Sequence, residues 1–269
     1  MKHESKKIMV TGGAGFMGSN FIRYLLKKYP AYRIINLDKL TYAGNLDNLK
    51  DVEKAKRYRF VKGDIGNQKL AESLLDSYKV DTIINFAAES HVDRSILGPR
   101  SFVMTDVVGV LNLLEAARKR KIKKFVQVST DEVYGVMHRG VAGENTAFMP
   151  RSPYAASKAG GDMLTMAYYT TYDLPVVRIH SCNFYGPYQY PEKFIPLFIT
   201  NFLEEKSVPL YGDGKQVREW IYAEDFCRAL DIVLHKGKTG EVYNIGTGIR
   251  KKNIDVDRSL AHLLNVPYK

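Results

Sequence analysis

Short apolar runs rich in valine and isoleucine recur at Ile8–Val10, Arg33–Leu37, Phe60–Val61, Thr82–Ala87, Phe125–Val128 and Val176–Ile179. Runs of this kind predict strands buried on both faces. Between most of them the apolar positions recur with helical spacing, over Met17–Tyr29, Lys69–Tyr78, Phe102–Arg118 and Tyr154–Tyr172. Strand and helix therefore alternate, which predicts an α/β chain with a parallel sheet covered by helices on both faces. Right-handed crossovers make such a sheet doubly wound and put ligands at the carboxyl ends of its strands. After about residue 180 the alternation loosens and Pro, Tyr and Phe accumulate, as in Tyr185-Gly-Pro-Tyr and Tyr190-Pro-Glu-Lys-Phe-Ile-Pro. The expected organisation is a nucleotide-binding domain over 1–180 and a smaller, mostly substrate-binding portion over 181–269, with some later segments returning to the first domain.

Composition narrows the function classes. At 269 residues, 45% hydrophobic and 26% charged, the chain can bury one large core. It has no run of 18 apolar residues to span a membrane. Met1–Lys7 is polar and basic, without the apolar centre of a secretory signal. Cys182 and Cys227 lack metal-ligand spacing and read as free thiols, so the expectation is a cytoplasmic protein without a metal. The net charge of +11 raises the question of nucleic acid. The densest basic cluster, Arg118–Lys124, falls at a predicted helix end, where cations complement the helix dipole, and no nucleic-acid motif accompanies it. A basic surface equally attracts a small anionic ligand.

The first strand runs into Thr11-Gly-Gly-Ala-Gly-Phe-Met-Gly18 and then a helix. Gly13, Gly15 and Gly18 satisfy G-x-G-x-x-G, and Gly12, Gly15 and Gly18 the wider variant. The glycines allow a tight turn, close approach to a pyrophosphate, and packing of a helix whose N-terminal amides face the anion. Asp38 ends the second strand, twenty residues after Gly18, where a carboxylate accepts both ribose hydroxyls and repels a 2′-phosphate. Together these predict a Rossmann-type fold that binds NAD. Asp64, after the third strand, is expected near the adenine, although an acidic residue there also serves as a loop cap.

Ser152-Pro-Tyr-Ala-Ala-Ser-Lys158 reads as a helix start that puts Tyr154 and Lys158 on one face. An ammonium beside a phenol, with a bound nicotinamide cation, lowers its pKa and lets it take a hydroxyl proton. Tyr-x-x-x-Lys alone is usually a solvated helix face; the glycine loop on the same chain favours function. Strand Phe125–Val128 leads into Ser129-Thr-Asp-Glu-Val-Tyr-Gly135, which puts Thr130, Asp131 and Glu132 at the active edge. Adjacent acids often mark only a solvated turn. Beside a cofactor they divide acid and base work once their surroundings separate their pKa values, and this points beyond a plain dehydrogenase to a dehydratase.

These motifs resemble the extended short-chain dehydrogenases, and within them the dTDP-glucose 4,6-dehydratases. The likeness runs through Val10–Gly18, Asp38-Lys-Leu-Thr-Tyr-Ala-Gly-Asn45, Ala87-Ala-Glu-Ser-His-Val-Asp-Arg-Ser-Ile96, Ser129–Gly135, Tyr154–Lys158 and Lys251-Lys-Asn-Ile-Asp-Val256. It implies that Phe16, Met17, Lys39, Thr41, Ile65, Ala87 and Ala88 join the glycines, Asp38, Asp64, Tyr154 and Lys158 around NAD. It implies that Ser90, Asn183, Lys193, Arg218 and Asn253 hold the nucleotide sugar, with Arg218 on phosphate. The implied chemistry is oxidation at C4 by Tyr154, helped by Lys158 and Thr130. Glu132 then takes the C5 proton, Asp131 protonates the departing 6-hydroxyl, and hydride returns to C6. A homodimer through a four-helix bundle, built on Phe102–Arg118 and Tyr154–Tyr172, is implied as well.

The chain departs from the family at three places. Asp106 and Phe184 stand where asparagines are usual, and the family continues past Lys269 with a segment that completes the diphosphate site. Altered cofactor and sugar contacts and a shortened substrate portion are therefore expected. The rival readings are a UDP-sugar dehydratase, a 4-epimerase, and a non-catalytic NAD-binding relative.

Overall fold

The computed structural model describes residues 6–137 and 139–267. The reading of Met1–Lys7 therefore lies mostly outside the described residues. Seven parallel strands form the main sheet in the order β3-β2-β1-β4-β5-β6-β9. They are β1 (Lys7–Thr11), β2 (Arg33–Asp38), β3 (Tyr58–Lys62), β4 (Thr82–Asn85), β5 (Lys124–Thr130), β6 (Val176–Ser181) and β9 (Val242–Ile245). All six predicted strands are present, and the fourth stops at Asn85 rather than Ala87. There the chain turns over the glycine loop: Phe86 still donates to Thr11 O, and Ala87 packs against Gly12.

Helices α1 (Phe16–Lys28), α2 (Gln68–Tyr78), α5 (Val110–Lys119), α6 (Pro153–Tyr172) and α8 (Ala223–Lys236) cover the sheet. One apolar cluster packs Phe21, Ile22 and Leu25 of α1 with Phe226 and Leu230 of α8 on the sheet. The other packs Leu74 and Leu75 of α2 with Val110, Leu113 and Leu114 of α5. Apolar clusters on both faces are what run-type rather than alternating strands require. Buried polar side chains link three strands of the sheet. Thr11 Oγ1 donates to Asn85, and Asn85 Nδ2 donates to Gln127 Oε1 at 2.9 Å, joining β1, β4 and β5.

The predicted helix Phe102–Arg118 is not uniform. Short helices α3 (Val92–Leu97) and α4 (Pro99–Val103) lead into a π-helical segment, Met104–Gly109, before α5 begins. Two glycines admit this wider turn. A Cβ on Gly109 would stand 2.7 Å from Ile65 Cδ1, and one on Gly161 of α6 would stand 2.4 Å from Asp106 O. Apolar spacing reports which side of a helix is buried and is blind to such a bulge, a feature frequent at functional sites.

A second, three-stranded sheet has the order β10-β8-β7, from β7 (Asn183–Tyr185), β8 (Val217–Tyr222) and β10 (Arg250–Lys252). Helices α7 (Phe194–Leu203) and α9 (Asn253–Leu263) pack together through Phe198, Phe202 and Ala261.

Candidate active site

The turn between β1 and α1 is built for close contact. Gly12 has φ +67°, and a Cβ there would lie 2.6 Å from Ala87 N and 2.8 Å from Phe86 C. A Cβ on Gly18 would lie 2.3 Å from Gly12 O, so the helix starts directly against the turn. Gly15 caps α1 without any side-chain hydrogen bond, which leaves the first amides of the helix, on Phe16, Met17 and Gly18, for an anion. Asp38, 8% exposed at the end of β2, accepts from Ala14 N at 2.9 Å and from Leu40 N at 2.7 Å. Burial raises its pKa, and those two bonds oppose the rise. The uncapped helix and the ordered carboxylate fit a dinucleotide.

The surroundings of this loop vary in character. Lys39 Nζ pairs with Asp64 at 2.7 Å, and Asp64 also accepts from Gly66 N, so part of the predicted adenine end is already cross-braced. Ile65 and Met17 are buried, Thr41 is exposed, and Ala87 packs on the second cluster. Ala88 follows at the exit of β4, half-buried. Phe16 packs edge-on against Phe184, whose ring also meets Phe226 at 4.6 Å. Phe184 thus serves the core, so its aromatic ring replaces an asparagine's polar contacts by packing.

At the carboxyl end of β5, Thr130 caps a 3-10 turn, Asp131–Tyr134, by accepting from Glu132 N at 3.2 Å. That turn keeps both acids at the strand end. Burial first, and then the charge of Glu219, raises Asp131 to about 6, against the Thr130 hydrogen bond and the Arg218 charge. Glu132 is raised by burial and by Asp131, with Arg218 and Lys193 opposing. A carboxyl raised this far holds a proton more readily and can donate it.

Ser152 caps α6 as its sequence suggests, accepting from Ala155 N at 3.1 Å, with Pro153 in the first turn. Tyr154 and Lys158 consequently face the same strand end. Lys158, 4% exposed, donates from Nζ to Val128 O at 3.0 Å. The Tyr154 ring packs edge-on to Phe102, and its hydroxyl pKa is pushed well up by burial and then by Glu132, Asp106 and Asp131. A hydrogen bond with Thr130 works the other way.

Of the predicted sugar-nucleotide residues, Asn183, Arg218 and Asn253 lie on or beside the second sheet, and Ser90 and Lys193 meet at the loop after β4. Asn183 in β7 pairs with Trp220 in β8, and Arg218, also in β8, is exposed. Lys193 caps α7 and donates to Ser90 O, tying that helix start to the loop after β4. Asn253 opens α9 beyond β10 and donates its N–H to Gln216 O at 3.0 Å. Asn183 and Asn253 are therefore at opposite edges of the small sheet, while Arg218 between them acts electrostatically on both acids.

Three residues at the site escaped prediction of a role: Asp106, Ser157 and Glu219. The Ser157 hydroxyl donates to Asp106 Oδ2 at 2.8 Å, and Glu219 accepts from Thr247 N and Gly248 N. Asp106 carried a signal, being a charge inside an apolar helical run; Glu219 carried none before the second sheet formed.

The family model described as GDP-mannose 4,6 dehydratase matches residues 9–265. The chain belongs to that family. A low-salt glycan biosynthesis protein of Haloferax volcanii is 50% identical over 94% of this chain and 81% of its own length. A dTDP-glucose 4,6-dehydratase of Xanthomonas campestris is 48% identical, over 96% of this chain and 76% of its own. A Bacillus anthracis dTDP-glucose 4,6-dehydratase, solved in complex with NAD, superposes with a TM-score of 0.92 at 50% identity, covering 97% of this chain and 82% of that one. A Streptomyces venezuelae enzyme of the same name, solved with NAD and a second ligand, gives 0.94 at 49% identity and the same coverage. A Thermotoga maritima UDP-glucose 4-epimerase also shares the fold, with a TM-score of 0.90 at 29% identity. The short-chain dehydrogenase architecture and the likeness to dTDP-glucose 4,6-dehydratases expected from the motifs are thus borne out for this member of the 4,6 dehydratase family.

Proposed function

We propose that this chain is an NAD-dependent nucleotide-sugar dehydratase, a hydro-lyase that converts dTDP-glucose to dTDP-4-keto-6-deoxyglucose. The observation that carries the reading is the placement of Asp131, raised to about 6, beside Glu132 at the end of β5, where Tyr154 also lies. Residues 1–180 hold the cofactor and 181–269 mostly the sugar nucleotide.

NAD, when bound, would supply the hydride chemistry that the conversion needs. The uncapped start of α1 would hold its pyrophosphate, and Asp38 would take the ribose hydroxyls. The Lys158 ammonium on the same helix face and the cofactor's positive charge would bring the Tyr154 hydroxyl down from its elevated value. Tyr154 then accepts the proton of the sugar 4-hydroxyl, with Thr130 orienting it. The resulting ketone acidifies the C5 hydrogen, which Glu132 removes. Asp131, protonated, delivers its proton to the departing 6-hydroxyl, and water leaves. Glu132 returns its proton to C5 to complete the product, and Arg218 and Lys193 offset the diphosphate charge, with Ser90, Asn183 and Asn253 completing the substrate contacts. An epimerase expels no hydroxyl and leaves Asp131 without a task.

Two copies pair through the helices at 102–118 and 154–172. Val103, Met104, Met163 and Met166 are exposed there, between 39% and 52%, and support that assembly. No helix of the described residues is long and apolar enough to cross a membrane. The buried thiols Cys182 and Cys227 suit the reducing cytoplasm. Incubation of the purified protein with dTDP-glucose, without added NAD, tests the activity. A 4-keto-6-deoxy product is expected; no turnover even with NAD or UDP-sugars present would refute it.

A further inference from the structure

A carboxylate that this mechanism does not use is buried beside the Tyr154–Lys158 pair. Asp106, 1% exposed, lies in the π-helical segment. Its Oδ1 accepts from Glu89 N at 3.1 Å and its Oδ2 from the Ser157 hydroxyl at 2.8 Å. Ser157 immediately precedes Lys158, so the carboxylate is hydrogen-bonded to the turn of α6 that carries the lysine. The close contact of Gly161 with Asp106 O locks the two elements together. An isolated carboxylate would not remain charged in such a place, and what favours its charge here is identifiable. Burial raises its pKa to about 6, while Lys158 and the bonds from Ser157 and Glu89 pull it down and the Glu89 charge pushes it up.

The influence runs both ways. Tyr154 feels Asp106 as one of three negative charges, the others being Glu132 and Asp131 at the end of β5. Lys158 and Tyr154 from α6, and Glu89 from the loop after β4, are the titratable groups acting with Asp106. We propose that Asp106 is a positioning residue for the first proton transfer: it holds Ser157 and Lys158 in register with Tyr154, and its charge sets the pH at which Tyr154 gives up its proton. Asp106 itself does not touch substrate. This inference rests on the reading of Tyr154 as the base. Removing the negative charge makes the phenolate easier to form, so the rising limb of the pH–rate profile moves to lower pH. A neighbouring charge of this kind is worth about one pH unit, or roughly tenfold in rate at a fixed pH on that limb.

The experiment compares wild type, Asp106→Asn, Asp106→Ser and Tyr154→Phe, each with NAD bound. It measures kcat for dTDP-glucose against pH and the ultraviolet titration of phenolate, with Tyr154→Phe as the blank. Asparagine preserves the bond from Glu89 and the side-chain volume; serine removes the charge by a different route. Both are expected to lower the Tyr154 ionisation by about one unit and to shift the rate limb equally, with KM little changed. A limb and a phenolate titration that coincide with wild type overturn the proposal, even if kcat falls at every pH, because a purely structural role loses rate without moving either. An inactive variant is decided by its phenolate titration alone. Should Tyr154→Phe keep normal turnover, the failure lies instead with the reading of Tyr154.

Discussion

Replacing Gly12 by alanine isolates what the cofactor turn requires. Alanine at φ +67° costs about 1–2 kcal/mol from the clash of its own Cβ with the backbone. The added carbon would also stand 2.6 Å from Ala87 N, whereas unstrained contacts lie near about 3.5 Å. Relief means moving the backbone at the exit of β4 by almost an ångström, since neither Phe86 C nor Ala87 Cα can swing aside like a side chain. Overpacking of this kind costs about 1–3 kcal/mol, which brings the total to about 3. For a chain of this size each kcal/mol lowers the midpoint by about 2–4 °C, so a fall of roughly 6–12 °C is expected. Gly140 provides the control: its φ is +73°, and a Cβ there meets nothing within 4 Å. Gly140→Ala should therefore show only the backbone part of the loss. Thermal unfolding followed by circular dichroism, with NAD titrated by fluorescence quenching, gives both quantities. Equal melting points for the two variants, with NAD affinity intact in Gly12→Ala, would refute the claim that close approach to Ala87 dictates glycine.

Asp131→Asn should slow water loss by about 10²–10³-fold while C4 oxidation persists, visible as a rise in cofactor absorbance in single turnovers; unimpaired product formation would remove Asp131 from its assigned role. Asp38→Asn should weaken NAD and improve NADP relative to it, as equilibrium binding of the two cofactors will show. Asp231 in α8 governs a pH-dependent part of stability. Burial would raise its pKa, but bonds with His235, Lys28 and Tyr29 outweigh it and hold it at about 2. A depressed carboxylate stabilises the fold above its unfolded value near 4, and that contribution disappears as pH falls through about 2. Asp231→Asn should cost about 2 kcal/mol at pH 7 and progressively less below pH 4, read from urea unfolding at both ends.

Much of the architecture was legible because its causes are local. Apolar runs long enough for a buried strand, each followed by helical spacing, determine a parallel doubly wound sheet whatever lies elsewhere. The glycines at 12, 13, 15 and 18 and Asp38 sit within one strand–turn–helix–strand unit, so their juxtaposition follows from chain continuity. Ser152 and Pro153 likewise determine where α6 begins, and hence that Tyr154 and Lys158 share a face.

What depends on distant segments was decided only by folding. The π-helical turn at Met104–Gly109 exists because Gly109 meets Ile65 and Gly161 meets Asp106, contacts across more than forty residues of chain. Phe184 became a core residue through Phe16 and Phe226, which no spacing brings together. The elevated pKa of Asp131 comes first from burial and then from the charge of Glu219, which reaches it from β8 together with the opposing charge of Arg218 once the second sheet has formed. The sequence by itself determined which chemistry-bearing residues the chain carries and the strand ends they follow. Their protonation, and the pairing of Asp106 with Ser157, belong to the tertiary structure, because burial and charge proximity are properties of space rather than of order along the chain.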